Sequence, residues 1–159
     1  WGQFPLVYFI ILMFIGGCAG STTCGIKIFR VQILYQFISN QLKKIIYPRG
    51  IFKIKYQNNN VDEKFMDSII SFIFLYILIF FVVTALLSLD GLNFITAISA
   101  AATSISNVGP GLGDIIGPNG SFSSLSDFSK WVLSAAMILG RLELFAILVL
   151  FIPSFWRKY

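Results

Sequence analysis

Apolar residues in this chain fall in blocks separated by glycine-rich, basic or asparagine-rich stretches. Ser68 to Leu89 supplies 22 consecutive residues without a charge, bounded by Asp67 and Asp90. About 20 apolar residues suffice to span a bilayer as a helix. The core helix of a large soluble protein rarely runs so far without polar relief, so this block predicts a transmembrane helix. Phe4 to Ile15 is only 12 apolar residues, roughly 18 Å as a helix against a hydrocarbon layer of ~30 Å. Something else must complete that crossing. The next ten residues, GGCAGSTTCG from Gly16 to Gly25, hold four glycines and three hydroxyl residues, which favours an interrupted helix. A helical pattern resumes at Ile26 and runs to about Ile46. Unwound backbone at membrane depth is tolerated where protein or a water-filled cavity satisfies it, so a broken helix points towards an internal aqueous path. A small-residue packing motif, or a plain turn between two short helices, remains open on the residues alone.

Beyond Asp90-Gly91, Leu92 to Ile105 is rich in Ala, Ser and Thr, too short and too polar to cross alone. It is expected to dip into the membrane and return through SNVGPGLG, Ser106 to Gly113, as a re-entrant pore loop does. The helix would carry its partially negative C-terminal end into the membrane, which favours a cation there. Glycines at 109, 111 and 113 would let backbone carbonyls line a narrow path. From Gly111 to Asp127 the residues read as an exposed loop. A last span is expected from about Trp131 to Trp156, with Arg141 near its middle. A central arginine costs at least ~2.5 kcal/mol on insertion, so it should face a pore, a counter-charge or backbone carbonyls. Glu143, two residues on, points to a different face of the helix. Anchoring by carbonyls and a role in a permeation path both remain open for Arg141.

Charge placement sets an orientation. Eight of the 12 basic residues (Lys27, Arg30, Lys43, Lys44, Arg49, Lys53, Lys55 and Lys64) lie between the first two apolar blocks, and no Lys or Arg occurs from Phe65 to Ser129. By the positive-inside rule the Lys27 to Lys64 region is cytoplasmic, and the region holding Asp90, Asp114 and Asp127 is outside. Arg157 and Lys158 return to the inside, so a single topology satisfies every cluster. Pro48 to Asn60 reads as a solvated loop with room for a short strand over Ile51 to Tyr56. Composition agrees: the chain is 57% hydrophobic and 12% charged, far from the roughly 25% charged residues of soluble domains. The net charge of +5 is explained by membrane orientation, so no nucleic-acid partner is expected. With no histidine, no clustered carboxylates and no nucleophile beside a base, the residues offer no catalytic constellation, and no enzyme or cofactor is expected. Cys18 and Cys24 lack metal-site spacing and read as small packing residues. A start at Trp1 without a basic n-region fits a fragment better than a signal peptide, and the Ile15-Gly16-Gly17-Cys18 run lacks the charged start of a lipoprotein signal.

Three motifs in order, GGCAGSTTCGIK (Gly16 to Lys27), SNVGPGLG (Ser106 to Gly113) and GRLELF followed by FIPSFW (Gly140 to Trp156), give the chain a family likeness. It closely resembles the TrkH group of the Trk/Ktr/HKT potassium transporters over almost its whole length. The resemblance implies an all-α integral membrane fold of helix, pore loop and helix repeats around one pore, with one broken transmembrane helix. Residues 1–46 would be the broken second helix of a third repeat, 47–66 a cytoplasmic loop, and 67–159 the fourth repeat. Asn107, Val108, Gly109 and Pro110 would form one of four filter segments, with carbonyls, among them those of Asn107 and Val108, replacing the hydration shell of potassium. Val108-Gly109 resembles the potassium-channel signature, while Asn107 and Pro110 depart from it and resemble this family's looser filter. Gly16, Gly17, Gly20, Ser21, Thr22, Thr23 and Gly25 would belong to an intramembrane gate loop below the filter. Thr23-Cys24 stands where many relatives have two glycines, which stiffens that loop. Arg141 matches the family arginine that projects into the pore beside it. The resemblance further implies potassium uptake across the bacterial inner membrane by a multi-pass symporter. It would work as a homodimer in membrane lipid, regulated by a cytosolic ring of nucleotide-binding subunits. A secondary transporter of another small solute, or a non-transporting remnant, is the alternative reading.

Overall fold

The computed structural model describes residues 3–18, 24–50, 52–56, 59–142 and 149. Among these residues five α-helices carry the fold: α1 (Gln3–Phe14), α2 (Ile28–Ile46), α3 (Glu63–Leu89), α4 (Phe94–Ser106) and α5 (Asp127–Arg141). Between α2 and α3, β1 (Lys55–Tyr56) and β2 (Asn59–Asn60) pair antiparallel, Lys55 opposite Asn60 and Tyr56 opposite Asn59. The strand expected over Ile51 to Tyr56 is therefore shorter, and it pairs with Asn59 and Asn60. Ile51 itself lies outside the described residues.

α3 runs five residues further back than its charge-free block, since Glu63 and Lys64 are good helix formers at a solvated end. From Lys64 to Leu89 its 26 residues have a hydropathy of 2.9 over their most apolar window, and among the described residues it is the one helix long and apolar enough to cross a membrane. Much of its surface faces outward: Phe74 is 68% and Phe81 64% exposed, which suits lipid or a protein neighbour and not water.

α4 is enclosed by α1, α3 and α5. Ten of its 13 residues are buried, so this short helix occupies the centre of the bundle. Its small side chains permit that: Ala97, Ala100, Ala101 and Ile105 meet Phe72, Tyr76, Val83 and Leu87 of α3 and Leu133 and Ala136 of α5 in one cluster. Ile116 and Leu125 join this cluster, so the segment from Gly111 to Asp127 is not the wholly exposed loop its composition suggests. The Gly111 amide donates to the Ile116 carbonyl at 2.8 Å, folding Ile116 back under α4. A second cluster, Ile33 of α2 with Met66 and Ile69 of α3, holds the other end. There the Arg30 guanidinium stacks 3.8 Å from the centre of the Phe72 ring, a cation–π contact that shields the charge against α3.

α5 starts at Asp127, four residues before Trp131, because Ser126 caps it by accepting the Ser129 amide at 3.1 Å. Asp90, just past α3, accepts hydrogen bonds from the hydroxyls of Ser126 and Ser129, the latter at 2.6 Å. The carboxylate thus sits at the positive end of α5, tying the end of α3 to the start of α5, the two helices that flank α4. Those two hydroxyls hold the Asp90 carboxyl below the ordinary aspartate range. A lowered carboxyl pKa stabilises the native state above the unfolded-state value and loses that effect as pH falls through the native one. In the complete parent protein, Asp90→Asn is therefore expected to lower the melting temperature at pH 7. The gap to wild type should close on acidification below about pH 4. A gap independent of pH would show that the charge has no part in the anchor.

Candidate functional site

The turn after α4 is the first part of the site. Asn107 adopts the left-handed conformation (φ 51°, ψ 43°). Its amide donates to the Ser104 carbonyl at 3.2 Å and the Val108 amide to the Thr103 carbonyl at 3.0 Å. This is the two-bond C-terminal motif in which glycine is the usual left-handed residue and asparagine the next choice. The Thr103 hydroxyl accepts the Gly109 amide at 3.0 Å, and Ser99 exchanges hydrogen bonds with both the amide and the carbonyl of Leu112, each at 3.1 Å. The hydroxyls of α4, which look merely polar in sequence, thus bind the turn's amides along one side. Among the described residues, none of these hydrogen bonds goes to the carbonyls of Asn107, Val108, Gly109 or Pro110. All four residues are exposed, while Gly111 behind them is buried. The amides are consumed, and a row of carbonyls is left at the end of a helix whose own C-terminus is partially negative. Such an arrangement favours a desolvated cation over an anion.

Two supports of this turn escape sequence reading. The Asn107 side-chain amide donates to the Met137 carbonyl of α5 at 3.0 Å. At Gly140 of α5, a Cβ atom would lie 1.9 Å from the Ile105 carbonyl oxygen, so only glycine allows α5 to pass the end of α4. Gly140 stood in a quoted motif, but nothing in one sequence says which helix it touches.

The broken helix is the second part. Ile15 and Ile26 form a parallel bridge: the Gly16 amide donates to Ile26 and the Ile26 amide to Phe14, both at 3.0 Å. Parallel pairing means that the chain leaves α1 and enters α2 in the same direction. The two described ends of the interruption are therefore held side by side, with Gly17 accepting the Ile28 amide at 3.3 Å. Gly25, at φ +88°, supplies the left-handed turn at its neck. Gly16, Gly17 and Gly25 lie at this neck, whereas Gly20, Ser21, Thr22 and Thr23 lie outside the described residues. Cys24 is buried at the neck and Cys18 is exposed, so packing accounts for the first alone.

Arg141, the last residue of α5, brings the two parts together. It lies 14 residues from Asp127, roughly 21 Å along the helix. Its guanidinium reaches within 4.0 Å of the Cys24 sulfur. The arginine and the loop neck, 117 positions apart in sequence, are neighbours in the fold. Glu143 and the remainder of the expected last span, including FIPSFW, Arg157 and Lys158, lie outside the described residues.

The profile of the TrkH family, described as cation transport protein, matches residues 1–158. The chain belongs to the TrkH family. It is 44% identical over 158 residues to the Trk system potassium uptake protein TrkI of Halomonas elongata, and 36% identical over 158 residues to TrkH of Escherichia coli. Each alignment takes in 99% of this chain and 32% of the relative, so the chain spans about a third of these proteins' length. It also superimposes on the crystal structure of the potassium transporter TrkH from Vibrio parahaemolyticus with a TM-score of 0.87 and 36% identity, covering 98% of this chain and 33% of that one. The all-α membrane fold with pore-loop repeats, expected from the motifs, is the fold of this family.

Proposed function

We propose that this chain is one quarter-pore and part of the gate of a potassium-uptake protein in the bacterial inner membrane. The observation that carries the reading is the turn after α4, where four successive exposed residues, Asn107 to Pro110, keep their carbonyls clear of hydrogen bonds from the described residues. Potassium is the cargo, and its hydration shell would be replaced by these carbonyls together with those of three equivalent segments. The relatives named above as potassium uptake proteins support this cargo. A secondary transporter of another solute does not require a buried pore helix ahead of such a turn.

On this reading residues 1–46 form the broken second helix of a third repeat, 47–66 a cytoplasmic loop and 67–159 a fourth repeat in a multi-pass protein. The Gly16 to Gly25 excursion is the gate loop, and Arg141 beside its neck is the charge that hinders cations when the loop is closed. The complete protein is a homodimeric symporter rather than an enzyme. The basic region from Lys27 to Lys64 meets lipid headgroups and a cytosolic nucleotide-binding subunit.

Rubidium flux into liposomes holding the complete parent protein, with sodium as competitor, tests this function. Strong flux that sodium inhibits weakly is expected. Gly109 sits at φ +113° with nothing within 4 Å of the Cβ it lacks. Gly109→Ala therefore strains the backbone without a clash, at roughly 1–3 kcal/mol, and is expected to make sodium a strong competitor. Sodium inhibition identical to wild type would remove Gly109 from the filter.

A further inference from the structure

α3 contributes a residue that neither the filter nor the gate reading uses. Tyr76 is 1% exposed, and its hydroxyl lies 2.7 Å from the hydroxyl of Ser106, itself 2% exposed. Ser106 is the last residue of α4 and directly precedes Asn107. A phenylalanine would fill the same apolar space, so packing does not ask for the phenol oxygen. Once buried, however, that oxygen demands a partner, and it has one at the base of the carbonyl row. The ring of Tyr76 also touches the gate side. Phe14, the last residue of α1, meets it edge-on at 6.0 Å and meets Phe80 at 5.0 Å. The Phe14 carbonyl accepts the Ile26 amide that closes the neck of the excursion.

We propose that Tyr76 is a positioning residue that holds the filter turn through Ser106 and transmits movement of the gate-loop neck to it through Phe14. This inference rests on the reading of the two segments as filter and gate. A shift of α1 as the neck opens displaces the Phe14 ring, and Tyr76 can follow only by pulling on or releasing Ser106. Potassium preference would then depend on whether the gate is closed. Close packing makes such coupling stepwise.

The test is a double-mutant cycle in the complete parent protein in liposomes, read as the ratio of rubidium to sodium permeation, which does not depend on the amount of active protein. Tyr76→Phe keeps the ring and removes the hydroxyl, and should lower the ratio roughly fivefold, as the loss of one buried hydrogen bond implies. Ser106→Ala, which removes the same bond from α4, should do likewise. Phe14→Leu should lower the ratio when Tyr76 is present and change it no further in the Tyr76→Phe background. Independent, multiplying effects of Tyr76→Phe and Phe14→Leu would overturn the link to the gate, and an unchanged ratio in both Tyr76→Phe and Ser106→Ala would overturn the positioning role. Gly109→Ala, run alongside, separates the two levels. If it loses preference while Tyr76→Phe does not, only the Tyr76 inference falls; if neither changes the ratio, the filter reading falls with it.

Discussion

Gly140→Ala in the complete parent protein is expected to lower rubidium flux at least tenfold and to lower the melting temperature. The added methyl carbon would stand 1.9 Å from the Ile105 oxygen and 2.8 Å from its carbonyl carbon. Both obstacles are backbone, so no side chain can swing aside. Either α5 moves outward or the end of α4 moves down, and overpacking of this kind costs about 1–3 kcal/mol where the surroundings can yield. Here they yield poorly. The same stretch of α5 accepts the Asn107 side-chain amide at Met137, so displacement of either helix breaks a hydrogen bond that holds the carbonyl turn. Assembly, melting temperature and flux should be measured together. Wild-type values in all three would mean that α5 lies further from α4 than described.

Arg141→Ala should act in the opposite direction and raise flux on the order of tenfold, the rate equivalent of about 1.4 kcal/mol. The substitution removes a positive charge from beside the proposed path and, with it, the contact to Cys24 at the neck of the gate loop. In the low dielectric of a membrane interior, one charge near a cation's route is a substantial barrier. Arg141→Lys separates the two contributions, because lysine retains the charge but lacks the planar fork that can hold several loop atoms at once. It should therefore fall between wild type and alanine. Flux that is unchanged or abolished in Arg141→Ala, at normal expression and insertion, would count against Arg141 as a hindrance to permeation.

Much of the architecture is legible in the residues because the bilayer limits the choices. A charge-free run such as Ser68 to Leu89 has few fates other than a span. The basic residues from Lys27 to Lys64 set an expectation of sidedness, and a run as short and hydroxyl-rich as Leu92 to Ile105 is not expected to cross alone. The left-handed conformation of Asn107 came only with the structure, although asparagine is the usual second choice after glycine at such a helix end. Tertiary neighbours were not legible. Ile116, one of a pair of isoleucines, and Leu125 lie among Gly, Ser, Asn and Asp, and their burial follows from the return of the chain over α4. Ser99 and Thr103 read as mild polarity until the turn's amides arrive at their hydroxyls. Composition likewise gave no sign that Asp90 would anchor α5, since its partners Ser126 and Ser129 lie 36 and 39 positions away.

The sequence by itself determined a charge-free run long enough to span a membrane, a shorter apolar run interrupted by glycines and a short hydroxyl-rich segment ahead of a glycine-rich turn, and its charges set the expectation of which side each loop occupies. These follow from local hydropathy, chain length and charge, which act whatever the neighbours are. Only the tertiary structure decided that Gly140 lets α5 pass the end of α4, that Arg141 meets the loop neck at Cys24, and that Tyr76 lies between Phe14 and Ser106. Those are contacts between residues far apart in sequence, set by how side-chain volumes fill the space between helices, and no local periodicity encodes them.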